Sequence, residues 1–401
     1  MENLSATCVI AGGGPAGMMC GFLLARAGVD VIVLEKHKDF LRDFRGDTVH
    51  PSTLQVMKEL GLLEEFLKLP HEQYDQLFIE LGDESYKAAD FRRLPAACKF
   101  IAFIPQWDFL DFIAARAKAL PNFRLLMETE ATGLLTEGRQ VTGVKTNAGD
   151  AIAAKLVIAA DGRASVLRDA AEFRVENLGS PMDVLWLRLD PEEGEPPAAF
   201  GRITADGMMV RFFRGTYWQC ALIIRKGSLG AIKEKGLDEF RARVARLAKR
   251  KRADEIESWD DVKLLTVAVD RLPRWHRPGL LFIGDAAHAM SPIGGVGVNL
   301  AVQDAVAAAN LLYRPLRDGR TPDLAAVQAR RRFPTWATQK LQTAIQNGVI
   351  DPVLDSRGTP QAPFLLRLAQ RWDWMRRIPA RVVGMGFRPE HVKTPRAGDK
   401  R

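Results

Sequence analysis

A chain of 401 residues with 47% hydrophobic and 26% charged side chains has the composition of an ordinary globular protein, long enough for two packed units plus an extension. Its formal charge of +8 gathers in residues 246–252 and in the tail after Arg388; with no aromatic residues interleaved to stack on bases, these runs predict a solvated helix face and a frayed tail, not a nucleic-acid groove. No run of about 18 apolar residues is free of charge, the apolar start leads into glycines instead of a cleavage site, and the four cysteines lack CxxC spacing, so a cytoplasmic protein with no membrane insertion, no signal peptide and no metal site is expected.

The chain opens on a βαβ pattern. Residues 7–11 are a short apolar run, 12–17 a glycine turn and 18–27 an apolar helix ended by Gly28; residues 31–34 are a fully buried strand. The turn reads Gly12-Gly13-Gly14-Pro15-Ala16-Gly17. Gly12 permits the tight turn, Gly14 clears the backbone's approach to a pyrophosphate, and Gly17 lets helix and strand pack closely. The helix start at Pro15 and Ala16 then offers free N–H groups to phosphate. Glu35 follows the second strand, 18 positions after Gly17 (35 − 17), where a carboxylate accepts ribose hydroxyls. Lys36, with His37, Lys38 and Arg42, either meets the 2′-phosphate of NADPH or faces solvent.

Further along, residues 108–120 have helical spacing of apolar positions, 123–130 and 141–146 look like strands, and 155–160 form a buried strand that ends at Asp161-Gly162. Residues 76–81, 184–189, 207–213 and 217–224 are rich in β-formers with turn residues between, which predicts an antiparallel sheet. Residues 236–257 read as a charged helix, and buried-strand texture returns at 280–283. The expected architecture is therefore α/β. A discontinuous Rossmann-like cofactor-binding domain (1–75, 100–175, 275–330), assigned to FAD by the residues taken next, carries an inserted substrate-binding β-sheet domain (76–99, 176–274), and residues 331–401 add C-terminal helices and a basic tail.

The choice of FAD over NAD rests on residues 279–305, GLLFIGDAAHAMSPIGGVGVNLAVQDA. A strand ends in Gly284-Asp285, and Gly294, Gly295 and Gly297 precede a second helix from about Asn299. An aspartate at a strand end can hold a ribityl chain. A second helix N-terminus can stabilise negative charge on a reduced flavin. Two such helix ends fit a long dinucleotide. His288 and Asp304 read as structural.

These three spaced motifs resemble the class A flavoprotein monooxygenases, the p-hydroxybenzoate hydroxylase-like aromatic hydroxylases, over about residues 1–330. The resemblance implies that Gly12, Gly14, Pro15, Ala16 and Gly17 cradle the FAD pyrophosphate and that Glu35 holds the adenosine ribose. It implies that Arg45 reaches the ribityl or pyrophosphate region, and that Gln106 touches the cofactor at a position where many relatives have arginine. Asp161 and Gly162, with Ser165 and Arg168, match a DG motif linked to FAD and NAD(P)H. Asp285 would hold ribityl, and Pro292, Gly295, Val296, Gly297, Val298 and Asn299 would border the isoalloxazine. The implied reaction is reduction of FAD by NADH or NADPH, formation of a C4a-hydroperoxide with O2, and attack on it by a flat aromatic or apolar substrate. No side chain is assigned acid–base work; Trp186, Phe212, Phe213, Tyr217 and Trp218 are candidates to cap the site.

Three other readings share these motifs: a flavin-dependent halogenase, an isoprenoid-chain reductase and a non-oxygenating flavoprotein that binds a partner. The halogenase pattern W-x-W-x-I-P is only echoed at 372–379, with two residues too many and near the C-terminus, and reads as an amphipathic helix. Residues 381–392 resemble the C-termini of some family members and would cover the active site, pack on the FAD domain or pair the chain in a homodimer; monomer and homodimer both stay open.

Overall fold

The computed structural model describes residues 4–41, 48–195, 199–355, 367 and 370–398. Ser5–Ala11 (SATCVIA) and Val31–Leu34 (VIVL) are strands because their runs of small and β-branched residues are buried on both faces. They pair in parallel, and Ala151–Ala159 lies parallel on the other side of Ser5–Ala11. Phe123–Leu126 and Leu280–Phe282 extend the parallel core outward, and the hairpin Ala131–Glu137/Gln140–Thr146 folds onto Ala151–Ala159. Successive strands thus run outward from Ser5–Ala11 in one direction, then jump to its other side. That reversal is a topological switch point, where a doubly wound sheet opens a crevice for a ligand.

A seven-stranded sheet forms the second layer, in the order Lys263–Leu265, Met182–Leu189, Trp218–Arg225, Gly207–Phe213, Ala199–Thr204, Gln76–Leu81, Glu84–Asp90. The sheet is mixed, which corrects the antiparallel expectation: Ala199–Thr204 runs parallel to Gln76–Leu81. The two are far apart in sequence, so no hairpin constrains their direction. Alternation sorts its side chains cleanly. Leu185, Leu187, Leu189, Trp218, Cys220 and Leu222 pack against the Leu237–Ala248 helix, while Val184, Trp186, Val210, Ala221 and Ile223 pack toward Ile293 and Ile350.

Three further expectations need correction. The charged helix ends at Ala248 and not near 257, because Lys249 adopts a left-handed φ of 55°. Nor is the basic run that follows simply solvated: the Arg250 side chain is 5% exposed and pairs with Glu192 at 3.1 Å and Glu255 at 3.0 Å. The tail from Arg388 to Gly398 is not frayed. Glu390 and Thr394 are buried, Val392 N–H donates to Glu59 at 2.8 Å, and Ala397 N–H donates to the Arg26 carbonyl at 2.7 Å. Of the roles open to residues 381–392, two meet in the structure: Val382, Val383 and Met385 line a cavity with Gly294, Val296 and Asn299, and Val392 packs on the first layer through Glu59.

The helical run Ile293–Arg317 is long and apolar enough to cross a membrane, but its residues are mostly buried, and its main part, Gly297–Arg317, packs on the first helix, Pro15–Arg26. Its apolar character is that of a core helix.

Candidate active site

The first glycine turn sits at the switch point. Gly12 has φ +105°, and a Cβ there would lie 2.3 Å from the Ala160 carbonyl oxygen, so only glycine lets the turn pass the neighbouring strand end. A Cβ on Gly17 would lie 1.9 Å from the Gly12 oxygen, while one on Gly14 would meet nothing within 4 Å. Gly14 therefore faces open space, as a surface that must admit a phosphate requires. The Pro15–Arg26 helix starts there with no side chain capping its N–H groups. Glu35 is buried beside the turn; its carboxylate accepts from Gly13 N–H and His37 N–H, each at 3.1 Å. Those bonds fix the carboxylate at the cradle's edge. Lys36 points elsewhere, to Glu130 at 3.6 Å, and is more than half exposed.

The second motif folds directly against the first. Gly284 has φ +59°, and a Cβ on it would come within 2.9 Å of the Ala16 Cβ. The Gly284-Asp285 turn thus touches the start of the first helix. Asp285 is about one-third exposed and pairs with Arg163 Nε at 3.1 Å. Arg163 belongs to the loop after Asp161-Gly162. Asp161 Oδ2 accepts from Leu167 N–H at 3.1 Å, and burial raises its pKa against the bonds that lower it. Ser165 caps the short helix that follows, and buried Arg168 donates to the carbonyls of Arg163 and Ala286. Arg163 therefore ties the Asp161-Gly162 loop to the Asp285 turn.

Behind the turn lies a hub that the sequence does not announce. Asp304 is fully buried and accepts from Gly284 N–H at 3.1 Å and from Arg331 Nε at 2.8 Å, with His288 Nε2 at 2.6 Å. Burial pushes its carboxyl up, but His288 and Arg331 outweigh that and hold it below the usual range. His288 is thus committed to Asp304 and stacked on Trp275 at 5.0 Å, a structural role as expected from the sequence.

The loop Pro292 to Val296 turns through Gly294 (φ 78°) and Gly295 (φ 62°) into the long helix, whose N-terminus at Gly297 and Val298 is again uncapped by any side chain. Asn299 is less a surface than a staple. Its Oδ1 accepts from His50 N–H (2.9 Å) and Thr53 Oγ1 (2.6 Å), and its Nδ2 donates to the carbonyls of Thr48 (3.1 Å) and Gly295 (3.4 Å). From the other side, Gln342 bonds Ser291 N–H, the Ser291 carbonyl and the Ile293 carbonyl, while Gln339 and Gln346 hold Ala289 and Ser291 Oγ. The sequence signal for these glutamines is three polar residues at helical spacing on the buried face of the Leu324–Ile345 helix and its continuation.

Gln106 opens the Gln106–Lys118 helix, just after Ile101–Phe103, which pairs with Thr48–Val49 beside the Gly295 loop. Arg45 lies outside the described residues. Among the aromatic candidates, Trp186 is on the face toward Ile293 and Phe212 packs on Phe103 at 4.7 Å; Trp218 and Phe213 belong to the opposite, helix-covered face, and Tyr217 lies under Arg188. The halogenase echo lies on the Asp373–Met385 helix, with Trp372 and Ile378 more than half exposed.

The residues present suit FAD: two uncapped helix starts, a side-chain-free cradle, a fixed carboxylate for ribose and a second for a polyol meet in one crevice. Comparison with known proteins agrees. Residues 5–341 match the FAD binding domain family. The chain is 33% identical over 348 residues to the 6-methylpretetramide 4-monooxygenase of Streptomyces rimosus, covering 84% of this chain and 82% of that protein. It is 27% identical over 311 residues to the dialkyldecalin synthase of Streptomyces rugosporus, covering 76% of this chain and 64% of that longer protein. The solved anhydrotetracycline hydroxylase of Streptomyces rimosus superposes with a TM-score of 0.74 at 22% identity, over 95% of this chain and 76% of that one, a likeness of fold.

Proposed function

The chain belongs to the FAD binding domain family and is an FAD-dependent oxidoreductase of the class A monooxygenase type, and from that premise we propose that it hydroxylates a flat aromatic small molecule with O2 and NADH or NADPH. The observation that carries the reading is the contact of the two glycine motifs, Gly284 against Ala16, together with the packing of Ile293, in the loop that follows, on an apolar sheet face. Gly12, Gly14, Pro15, Ala16 and Gly17 would bind the pyrophosphate, Glu35 the ribose and Asp285 the ribityl hydroxyls. Asp161 would line the crevice between them. Pro292, Gly295, Gly297, Val298 and Asn299 would form and brace the rim of the flavin ring, with Gln106 nearby. Bound FAD supplies hydride acceptance and oxygen activation. The chain's own residues position the ring, offer helix N–H groups to its negative end, and keep water from it with the apolar face of the sheet.

On this reading residues 1–75, 100–175 and 275–330 make the FAD-binding unit and 76–99 with 176–274 the substrate unit, in a cytoplasmic monomer or homodimer. The test is aerobic oxidation of NADH or NADPH by the flavin-loaded protein across a panel of phenols and polycyclic ketones. Acceleration by a substrate, with a product heavier by one oxygen, is expected. Bound FAD with no oxygenated product from any of them would favour a chemistry without oxygen insertion, as the name of the decalin-forming relative suggests for that protein.

A further inference from the structure

The sheet face toward Ile293 has a particular relief. Register places Trp186, Ala221, Val210 and Gly201 side by side across four strands. A Cβ added to Gly201 would come no nearer than 3.9 Å to any atom, so the row is shallow between the ring of Trp186 and the strand Gln76–Leu81. In the next row, Gln219 stands between Arg188 on one side and Phe212 on the other, diagonal to Trp186. Such a surface fits a flat ring system.

Its polar groups are few, and one of them is unsatisfied. Trp186 Nε1 is buried with no hydrogen-bond partner. Gln219 is 4% exposed, and no hydrogen bond among the described residues engages its side-chain amide. Buried polar groups in folded proteins are normally paired, and an unpaired one in an apolar wall points to a missing partner. Charge is absent here in a telling way. Arg202 and Arg211 alternate onto the opposite face, where they pair with Glu80 and Glu195. Arg188, opposite Gln219, and Lys263, opposite Trp186, are exposed at the rim of the face, Arg188 lying over Tyr217. Among the described residues, then, no buried cation awaits a carboxylate on this face.

We propose that Trp186 and Gln219 are the specificity-determining anchors for the substrate, which is a neutral flat ring system bearing a carbonyl beside a hydroxyl, and not an aromatic carboxylate. An indole N–H only donates, so it takes the carbonyl; the glutamine amide donates and accepts, so it takes the hydroxyl. This rests on the hydroxylase reading for the word substrate, but the anchors make their own prediction about binding.

The test is equilibrium dialysis of the FAD-loaded enzyme with 8-hydroxy-1-tetralone and with 3-hydroxy-2-naphthoate, in the wild type, Trp186→Phe and Gln219→Leu. The tetralone binds the wild type at least about tenfold more tightly than the naphthoate, and each substitution weakens it about tenfold, the loss of one buried hydrogen bond. The substrate-free melting temperature stays level or rises in Trp186→Phe, since an unsatisfied donor has been removed; a merely structural tryptophan would lower it. Tetralone affinities unchanged in both variants, equal binding of the naphthoate, or no tetralone binding by the wild type would each overturn the proposal. If oxygenation proceeds while both variants bind as the wild type does, the anchors fail and the hydroxylase reading stands. If binding responds as stated but nothing is oxygenated, the reverse holds.

Discussion

Asparagine in place of Asp304 would test whether the buried hub holds the second motif. The side chain keeps its shape and loses its charge. Arg331, 1% exposed, would then face an amide at 2.8 Å and, among the described residues, have only Glu390, at 3.6 Å, as a counter-charge. Breaking a buried ion pair on one side costs about 3–5 kcal/mol. Part of that returns because the asparagine oxygen can still accept from Gly284 N–H or from Arg331. A net loss of about 3 kcal/mol is expected, which for domains of 150–250 residues lowers the melting temperature by roughly 6–12 °C. Because Gly284 carries Asp285 to the first helix, FAD affinity should fall with it. Acid behaviour should change as well. Asp304 is held below its usual 3.8, so its stabilisation is present above that pH and is lost as pH falls through the lower folded value; the variant lacks this acid limb. Circular dichroism against temperature and FAD titration by fluorescence quenching read both effects. A melting temperature within about 2 °C of wild type and an unchanged FAD affinity would refute the reasoning.

Gly12→Ala should yield protein without flavin absorbance, since its Cβ falls 2.3 Å from Ala160 O at φ +105°; purified variant with a full flavin complement would discredit the cradle. His50, buried beside the Val383 carbonyl, is pushed by burial from 6.5 down to about 4. The unfolded chain takes up this proton as pH falls below 6.5 and the folded one does not until about 4, so stability drops across that window by about 3 kcal/mol. Urea midpoints against pH should flatten in His50→Gln. Deleting residues 389–401 removes Glu390 from Arg330 (2.7 Å) and from buried Arg331. The melting temperature should fall as for a broken buried pair, about 3 kcal/mol or more; an unchanged value would show that the tail is dispensable.

What could be read from sequence was whatever only one residue type can do. Gly12, Gly17 and Gly284 occupy places where a Cβ would strike backbone or a neighbouring helix, so the motif letters carry the geometry with them. The parallel strands were legible for a similar reason: VIVL has no polar face, so it must be covered on both sides. The faces of the second sheet were not legible. In VLWLRL both alternating sets are apolar apart from one arginine, and nothing in the string says which set meets a helix and which a ligand. The tail failed as an expectation because a charged letter is the same whether solvated or buried. Glu390 is 3% exposed only because Arg330 and Arg331, about 60 positions earlier, come to meet it. The helix stop at Lys249 was hidden likewise: its positive φ sits beside Arg250, whose partners Glu192 and Glu255 no local pattern joins to it.

The glutamines of the Leu324–Ile345 helix and its continuation carry the argument from fold to ring. The loop that would rim the flavin has little regular structure of its own: two glycines at positive φ and one short turn. Its backbone groups at Ser291 and Ile293 are instead satisfied by Gln342, at 2.9–3.1 Å, while Gln346 joins Ser291 Oγ to Ser180 at the start of the sheet. One helix thus sets the distance between the loop and the sheet face. Gln342→Leu fills the same space and leaves the N–H and carbonyl of buried Ser291 unpaired, at a cost of about 1–3 kcal/mol for each group. Gln342→Glu keeps an acceptor for Ser291 N–H but loses both donations, so it should be no better than partial rescue. FAD affinity should weaken in the leucine variant. With the rim loosened, more of the NAD(P)H consumed should appear as H2O2 instead of product, because water gains access to the ring. The ratio of peroxide to hydroxylated product, measured at saturating FAD, separates this from simple loss of cofactor. A ratio equal to wild type, with FAD fully bound, would mean that the glutamines only stabilise the fold.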